Sequence, residues 1–194
     1  MSFGLGVGVA SGRRKPFDLM LLTETLYKRF SFFWDIIFVM VVVLHNIRSA
    51  HNTASIFRTS DGAGIEKIYL CGYTPSPLGK LGEYRKDFTK VALGAEKTIP
   101  YEKEKSTIAT IKRLKEDGYE ILAVEQDKRS VSYQEFKTRK KKIALVMGNE
   151  VKGLTPSILK LADHILEIPM AGDKKSLNVS VAFGVVAYGL KYKK

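Results

Sequence analysis

Cysteine is almost missing from this chain of 194 residues: Cys71 stands alone, so no intrachain disulfide can form. A single thiol fits a reducing compartment, and a cytoplasmic protein is expected. Histidine is scarce as well. His45, His51 and His164 fall in no metal-ligand spacing and no second thiol is at hand, so no metal is expected. Long apolar runs are also lacking. Residues 30–44, FSFFWDIIFVMVVVL, cover 15 positions and include Asp35, whereas a bilayer crossing needs about 20 mainly apolar residues. A secretory leader would lie nearer the terminus and close on a small-residue cleavage site, which this run does not have. Gly4, Gly6, Gly8 and Gly12 do not make a dinucleotide site, because no strand precedes them and their spacing is not G-x-G-x-x-G.

Positive charge is what the chain has in excess. Its 32 Lys/Arg against 20 Asp/Glu give a formal net charge of +12. The first 40 residues hold five Lys/Arg and three Asp/Glu, so nearly all of the excess falls on the remainder. A body this basic suits a polyanionic partner, and RNA fits. Charge alone is also a common route to solubility, so the motifs must decide. The length suggests one domain with an appended N-terminal piece. Residues 1–38 read as that extension, with a Gly-rich start, the basic triplet Arg13-Arg14-Lys15 and a helix predicted over 16–30. Because Met40 falls directly before Val41-Val42-Val43-Leu44, the extension is either an accessory or a start-site artefact.

Strand and helix signals alternate through residues 39–194. Residues 39–44 read as a first buried parallel strand, 67–71 (KIYLC) as a second, and 97–101, 119–125, 143–147 and 164–169 as further strands. Helices are expected over 46–63, 106–117 with Gly118 at its C-terminal end, and 178–190. This order calls for an α/β fold, a mostly parallel sheet with helices on both faces. Residues 74–90 read as a long loop carrying Lys80, Arg85, Lys86 and Lys90, suited to an RNA backbone or simply to solvent. The KTRKKK run at 137–142 carries the same two readings. In the helix over 46–63, His51, Ser55 and Arg58 form a polar stripe, while Ala50, Ala54 and Phe57 form an apolar one. Periodicity alone makes Arg58 a solvated arginine.

The most informative stretch is residues 143–190. Two strands there end in loops of small and polar residues, Gly148-Asn149-Glu150-Val151-Lys152-Gly153 and Met170-Ala171-Gly172-Asp173-Lys174-Lys175. Loops leaving the carboxyl ends of adjacent strands are where open α/β sheets bind ligands.

Gly148-Asn149-Glu150-x-x-Gly153, and Ile168-Pro169-Met170 with Ser176-Leu177-Asn178-Val179-Ser180-Val181-Ala182, resemble the second and third motifs of the SpoU branch of the SPOUT RNA methyltransferases. Upstream, Asn46-Ile47-Arg48-Ser49-Ala50-His51-Asn52-Thr53-Ala54-Ser55-Ile56-Phe57-Arg58-Thr59 resembles the first. The resemblance covers about residues 39–190. It implies a SPOUT fold with a C-terminal trefoil knot, and transfer of a methyl group from S-adenosylmethionine to a ribose 2′-hydroxyl of tRNA or rRNA.

The same resemblance implies a site. Met147, Gly148, Asn149, Gly153, Ile168, Met170 and Leu177 would hold the cofactor, largely through backbone groups, with Ile168 and Leu177 around the adenine. Asn52, Arg58, Glu150, Ser176 and Asn178 would form the catalytic set, with Glu150 orienting the site. Arg58 would activate the hydroxyl, either as a base or as an electrostatic stabiliser. A guanidinium with a pKa above about 12 is a poor base, which favours holding phosphate and stabilising the developing alkoxide. Lys80, Arg85 and Lys86 are candidate RNA contacts. The resemblance further implies a homodimer built on the last helix, whose Val181, Val185 and Tyr188 lie beside Ala182, Val186 and Gly189. Two rivals remain: a non-catalytic RNA-binding module on the same fold, and a base-methylating SPOUT enzyme.

Overall fold

The computed structural model describes residues 38–192. The extension expected over 1–38 and the helix over 16–30 lie outside the described residues, apart from Phe38. Seven strands, β1 (Val39–His45), β2 (Lys67–Cys71), β3 (Tyr101–Glu104), β4 (Glu120–Val124), β5 (Val131–Ser132), β6 (Lys142–Met147) and β7 (His164–Glu167), form one sheet in the order β3-β2-β1-β6-β4-β7-β5. Every pairing in it is parallel. Helices α1 (Ala50–Ala63), α2 (Lys86–Ala92), α3 (Ala95–Thr98), α4 (Thr107–Glu116), α5 (Pro156–Leu159) and α6 (Val179–Lys191) complete it.

The period of two along β1 sorts the core into two layers. Met40, Val42 and Leu44 face Phe57 of α1, Phe88 of α2 and Phe183 and Val186 of α6. Val41 and Val43 belong to the opposite layer, with Ile111 and Leu114 of α4 and Ile158 of α5. Both faces of the sheet are therefore covered, which is why its strands are continuous apolar runs.

Several boundaries differ from the sequence reading. The first helix begins at Ala50, not Asn46. Asn46 sits at φ 54, a left-handed conformation that asparagine tolerates, and Ser49 caps the helix by accepting a 3.2 Å bond from Asn52 N. The loop expected over 74–90 ends early, because Lys86–Ala92 is helical with Asp87 favourably placed in its first turn. The strand expected over 97–101 is instead the helix Ala95–Thr98 followed by β3 at Tyr101. Pro100 stands between them, holding Ile99 extended and delaying the strand by one residue.

The strands carrying the two ligand loops are not adjacent. β4 lies between β6 and β7, pairing Leu122 with Leu145 on one side and Ala123 with Ile165 on the other. Three strand ends rather than two consequently frame the space between the loops.

Candidate active site

A cavity of about 410 Å³ opens at the carboxyl ends of β4, β6 and β7. Its floor is Val124, Met147 and Leu166, its walls are Gly148, Asn149, Glu150, Val151, Gly153, Ile168 and Met170, and Ser176, Leu177, Asn178, Val179 and Ala182 close the remaining side with Asn52 from α1. A recess of about 210 Å³ shares Gln126, Glu167, Ile168 and Met170 with it and is bordered by Lys174 and Lys175.

One line of hydrogen bonds ties the three motif segments together here. Glu150 accepts from Arg48 N at 2.9 Å, Ser49 N at 3.1 Å and the Asn52 side-chain amide at 2.9 Å. Asn52 in turn accepts from Asn178 Nδ2 at 3.1 Å, and Asn178 Oδ1 caps α6 by accepting from Ser180 N and Ser180 Oγ. Each donor and acceptor fixes the next amide, so the orientation of Asn178 is set from the far end of the line at Glu150. Burial works against the Glu150 charge, yet the bonds from Arg48 N, the Asn52 amide and Ser49 N outweigh it and hold the carboxyl below its ordinary value of 4.5. Glu150 is thus an ionised acceptor that joins the loop after β6 to the start of α1.

Asn149 has a different task. Its side-chain NH2 bonds Asn46 O at 2.7 Å and Tyr73 OH at 2.9 Å, and its Oδ1 accepts from Val151 N and Lys152 N. That side chain is wholly engaged in shaping the turn. Gly148 is dictated by packing: a Cβ there would meet Gly153 C at 2.7 Å and Leu154 N at 2.8 Å, both backbone atoms that cannot swing away. Gly153 adopts φ +63, the left-handed region that favours glycine.

All seven residues expected around the cofactor line this cavity, as do Asn52, Glu150, Ser176 and Asn178. Arg58 does not. It is exposed on α1, six residues beyond Asn52 and so on another face of the helix, without an ion pair or hydrogen bond among the described residues. Lys80 and Lys86 are exposed, while Arg85 is held at 2.7 Å by Asp87. Residues that the sequence reading missed include Glu125 and Gln126, just beyond β4. Glu125 accepts from Leu154 N at 2.9 Å and Gln126 N at 3.1 Å, and Gln126 Nε2 donates to Lys175 O at 2.6 Å, pinning the second loop. A polar pair at the carboxyl end of a strand was the available signal.

The cavity suits S-adenosylmethionine. Its size is that of a small-molecule site, and Met147, Ile168, Met170, Leu177, Val179 and Ala182 give it an apolar side for an adenine. Leu177 is 40% exposed although it lines the cavity, an apolar surface that a ligand would cover. No group of three or more His, Cys, Asp or Glu side chains gathers at a common point among the described residues. Nor is any described helix long and apolar enough to cross a membrane.

Fold and site together define an open parallel α/β protein with a ligand cavity and a polar relay at the carboxyl edge of its sheet. The SpoU rRNA Methylase family matches residues 39–188, and the chain belongs to that family. It is 34% identical over 149 residues to a tRNA (guanosine(18)-2′-O)-methyltransferase of Aquifex aeolicus, covering 77% of this chain and 67% of that one. Among solved structures it resembles an AdoMet-bound rRNA methyltransferase from Sinorhizobium meliloti, with 28% identity, a TM-score of 0.70, and 78% of this chain and 55% of that chain covered. The A. aeolicus TrmH/SpoU tRNA modifying enzyme superposes with a TM-score of 0.68 at 30% identity, covering 86% of this chain and 83% of that one. Against seven further curated relatives, 28–31% identical, the chain spans 56–65% of their length.

Proposed function

We propose that this protein transfers a methyl group from S-adenosylmethionine to a ribose 2′-hydroxyl of tRNA or rRNA. The observation that carries the reading is the hydrogen-bonded line Glu150–Asn52–Asn178, which brings all three motif segments to one cavity of cofactor size. The family match over 39–188, and Phe38–Lys194 forming one compact unit, support residues 39–194 as the methyltransferase domain. The trefoil knot belongs to the same proposal.

The cofactor's sulfonium supplies an electrophilic methyl, so the chain has to align the hydroxyl and help remove its proton. Gly148, Ile168 and Leu177 hold the cofactor. Asn178, fixed by Asn52, and Ser176 at the cavity edge orient the ribose. Arg58 binds phosphate and stabilises the alkoxide as it develops, while the hydroxyl proton leaves to that phosphate or to water. Since Arg58 stands outside its own chain's cavity, the reading includes a homodimer in which each arginine serves the partner's site. Val181 and Tyr188 on the outer side of α6, and Tyr192 just beyond its end, are 51%, 43% and 62% exposed and suit that contact.

The carboxylates around the cavity weigh against base methylation. Glu125, Glu150 and Glu167 all accept hydrogen bonds from protein donors, Glu167 from Ser130 Oγ at 2.6 Å, so each serves to hold a loop. The test is to methylate unfractionated tRNA and rRNA with labelled cofactor and digest to nucleosides. Label on ribose is expected. Label on a base, or none on either RNA, overturns the reading.

A further inference from the structure

Tyr73 is 59% exposed and lies in the loop after β2, outside every motif used above. Single exposed aromatics are ordinary. This one is unusual in being held at both ends while its ring stays in solvent. Its backbone N–H donates to Asn46 Oδ1 at 3.3 Å, and its hydroxyl accepts from Asn149 Nδ2 at 2.9 Å. Asn149 belongs to the cavity wall, so the ring is fastened directly to the loop that would hold the cofactor.

The same bonds tie the ring's loop to the two backbone segments that carry Arg48 and Lys152. Asn149 Oδ1 accepts from Lys152 N at 2.8 Å, which puts Lys152 in the turn that Tyr73 touches. Asn149 Nδ2 also donates to Asn46 O, two residues before Arg48. Arg48 and Lys152 are both exposed, and neither side chain has an ion pair or hydrogen bond among the described residues. The carboxylate in that turn, Glu150, is already engaged with Arg48 N, Ser49 N and Asn52.

An exposed ring fastened to the wall of a cavity for a methyl donor, and tied to backbone segments that carry two exposed cations, matches what unpaired RNA requires. Bases stack on aromatic faces, and cations take the phosphates on either side. Because the ring is already immobilised, stacking costs little additional side-chain entropy. We propose that Tyr73 is the RNA-positioning residue of this site: its ring stacks an unpaired nucleobase of the substrate while Arg48 and Lys152 take the flanking phosphates. This rests on RNA being the substrate, as proposed above, but it does not depend on which atom is methylated.

The experiment compares Tyr73→Ala, Tyr73→Phe and Tyr73→Trp in the full chain. Three readouts are taken: cofactor affinity by calorimetry, binding of fluorescein-labelled unfractionated tRNA and fragmented rRNA by anisotropy, and KM and kcat for methyl transfer. Tyr73→Ala should weaken RNA binding and raise the KM for RNA about ten- to a hundredfold, the loss expected for one stacked base. Cofactor affinity and kcat at saturating RNA should stay within about twofold of the parent. Tyr73→Phe and Tyr73→Trp keep an aromatic face and should bind RNA nearly as the parent does. If Tyr73→Phe is as damaging as Tyr73→Ala and both lose cofactor affinity, the hydroxyl merely braces Asn149 and the proposal falls. Unchanged RNA binding in Tyr73→Ala also overturns it. A parent chain that binds RNA through Tyr73 yet leaves ribose unlabelled would instead sink the methyl-transfer reading and leave this one standing.

Discussion

At the scale of single residues, Glu150 shows how a motif glutamate can join two segments of a site through hydrogen bonds alone. Its oxygens accept from two backbone N–H groups and the Asn52 amide, and removing the charge would weaken these bonds and leave fewer acceptor sites for the three donors. The sign of the pH effect follows from the depressed carboxyl. A group whose folded pKa lies below its ordinary value of 4.5 contributes stability that is complete above that value and disappears as pH falls through the folded one. Melting temperature should therefore fall on acidification below about pH 4.5, and the part due to this contact should be missing in Glu150→Gln. At pH 7, Glu150→Ala should lower the melting temperature by about 1–6 °C, since the bonds at this largely exposed edge contribute about 0.5–1.5 kcal/mol and each kcal/mol shifts a domain of this size by about 2–4 °C. Parallel melting profiles for parent and Glu150→Gln from pH 7 to 3 would contradict the assignment. In the sequence, Glu150 was recognisable only through its motif. What it binds lies about a hundred residues away in Arg48, Ser49 and Asn52, and no local pattern encodes that.

At the scale of elements, the long apolar strands and the capped helices were legible because their signals are local. β2 occupies Lys67–Cys71 as the β-branched and aromatic run KIYLC suggests, and Ser106 caps α4 by accepting from Ala109 N at 3.3 Å. Short elements were not legible. β5 is two residues long and exists because Val131 and Ser132 pair with Leu166 and Glu167 across the sheet edge, a tertiary cause that leaves no periodicity. Inside α1 the local pattern is imperfect in a way that can be measured. Ser60 is fully buried, and its Oγ is the buried side-chain oxygen that finds no partner among the described residues. A hydroxyl desolvated without a hydrogen bond is costly, and alanine is the better helix former. Ser60→Ala should accordingly raise the melting temperature by about 2–5 °C without affecting cofactor binding. A lower melting temperature would mean that Ser60 bonds a group that this arrangement does not show.

At the scale of the whole molecule, the sheet order explains why the site could be named from motifs but not assembled from them. The loops after β6 and β7 stand on strands separated by β4, so Glu125 and Gln126 enter the cavity between them although neither belongs to a motif. On α1, Asn52 turns to the cavity while Arg58, six residues on, faces solvent, so one chain presents the cofactor site and the arginine on different surfaces. In an isologous dimer each surface meets the other's complement, and one subunit can complete its partner's site. Arg58→Ala should then abolish methyl transfer with cofactor affinity nearly unchanged, because the guanidinium acts on RNA and on the transition state. Asn178→Ala should also be inactive, having lost the bond to Asn52 and the cap of α6. If both variants melt close to the parent, an equal mixture under subunit exchange should recover about a quarter of parental activity: half the dimers are then mixed, and each mixed dimer holds one site with both groups intact. Mixed dimers proven by mass and still inactive would place Arg58 at its own chain's site, and the reading of α6 as the face that completes the enzyme would fail with it.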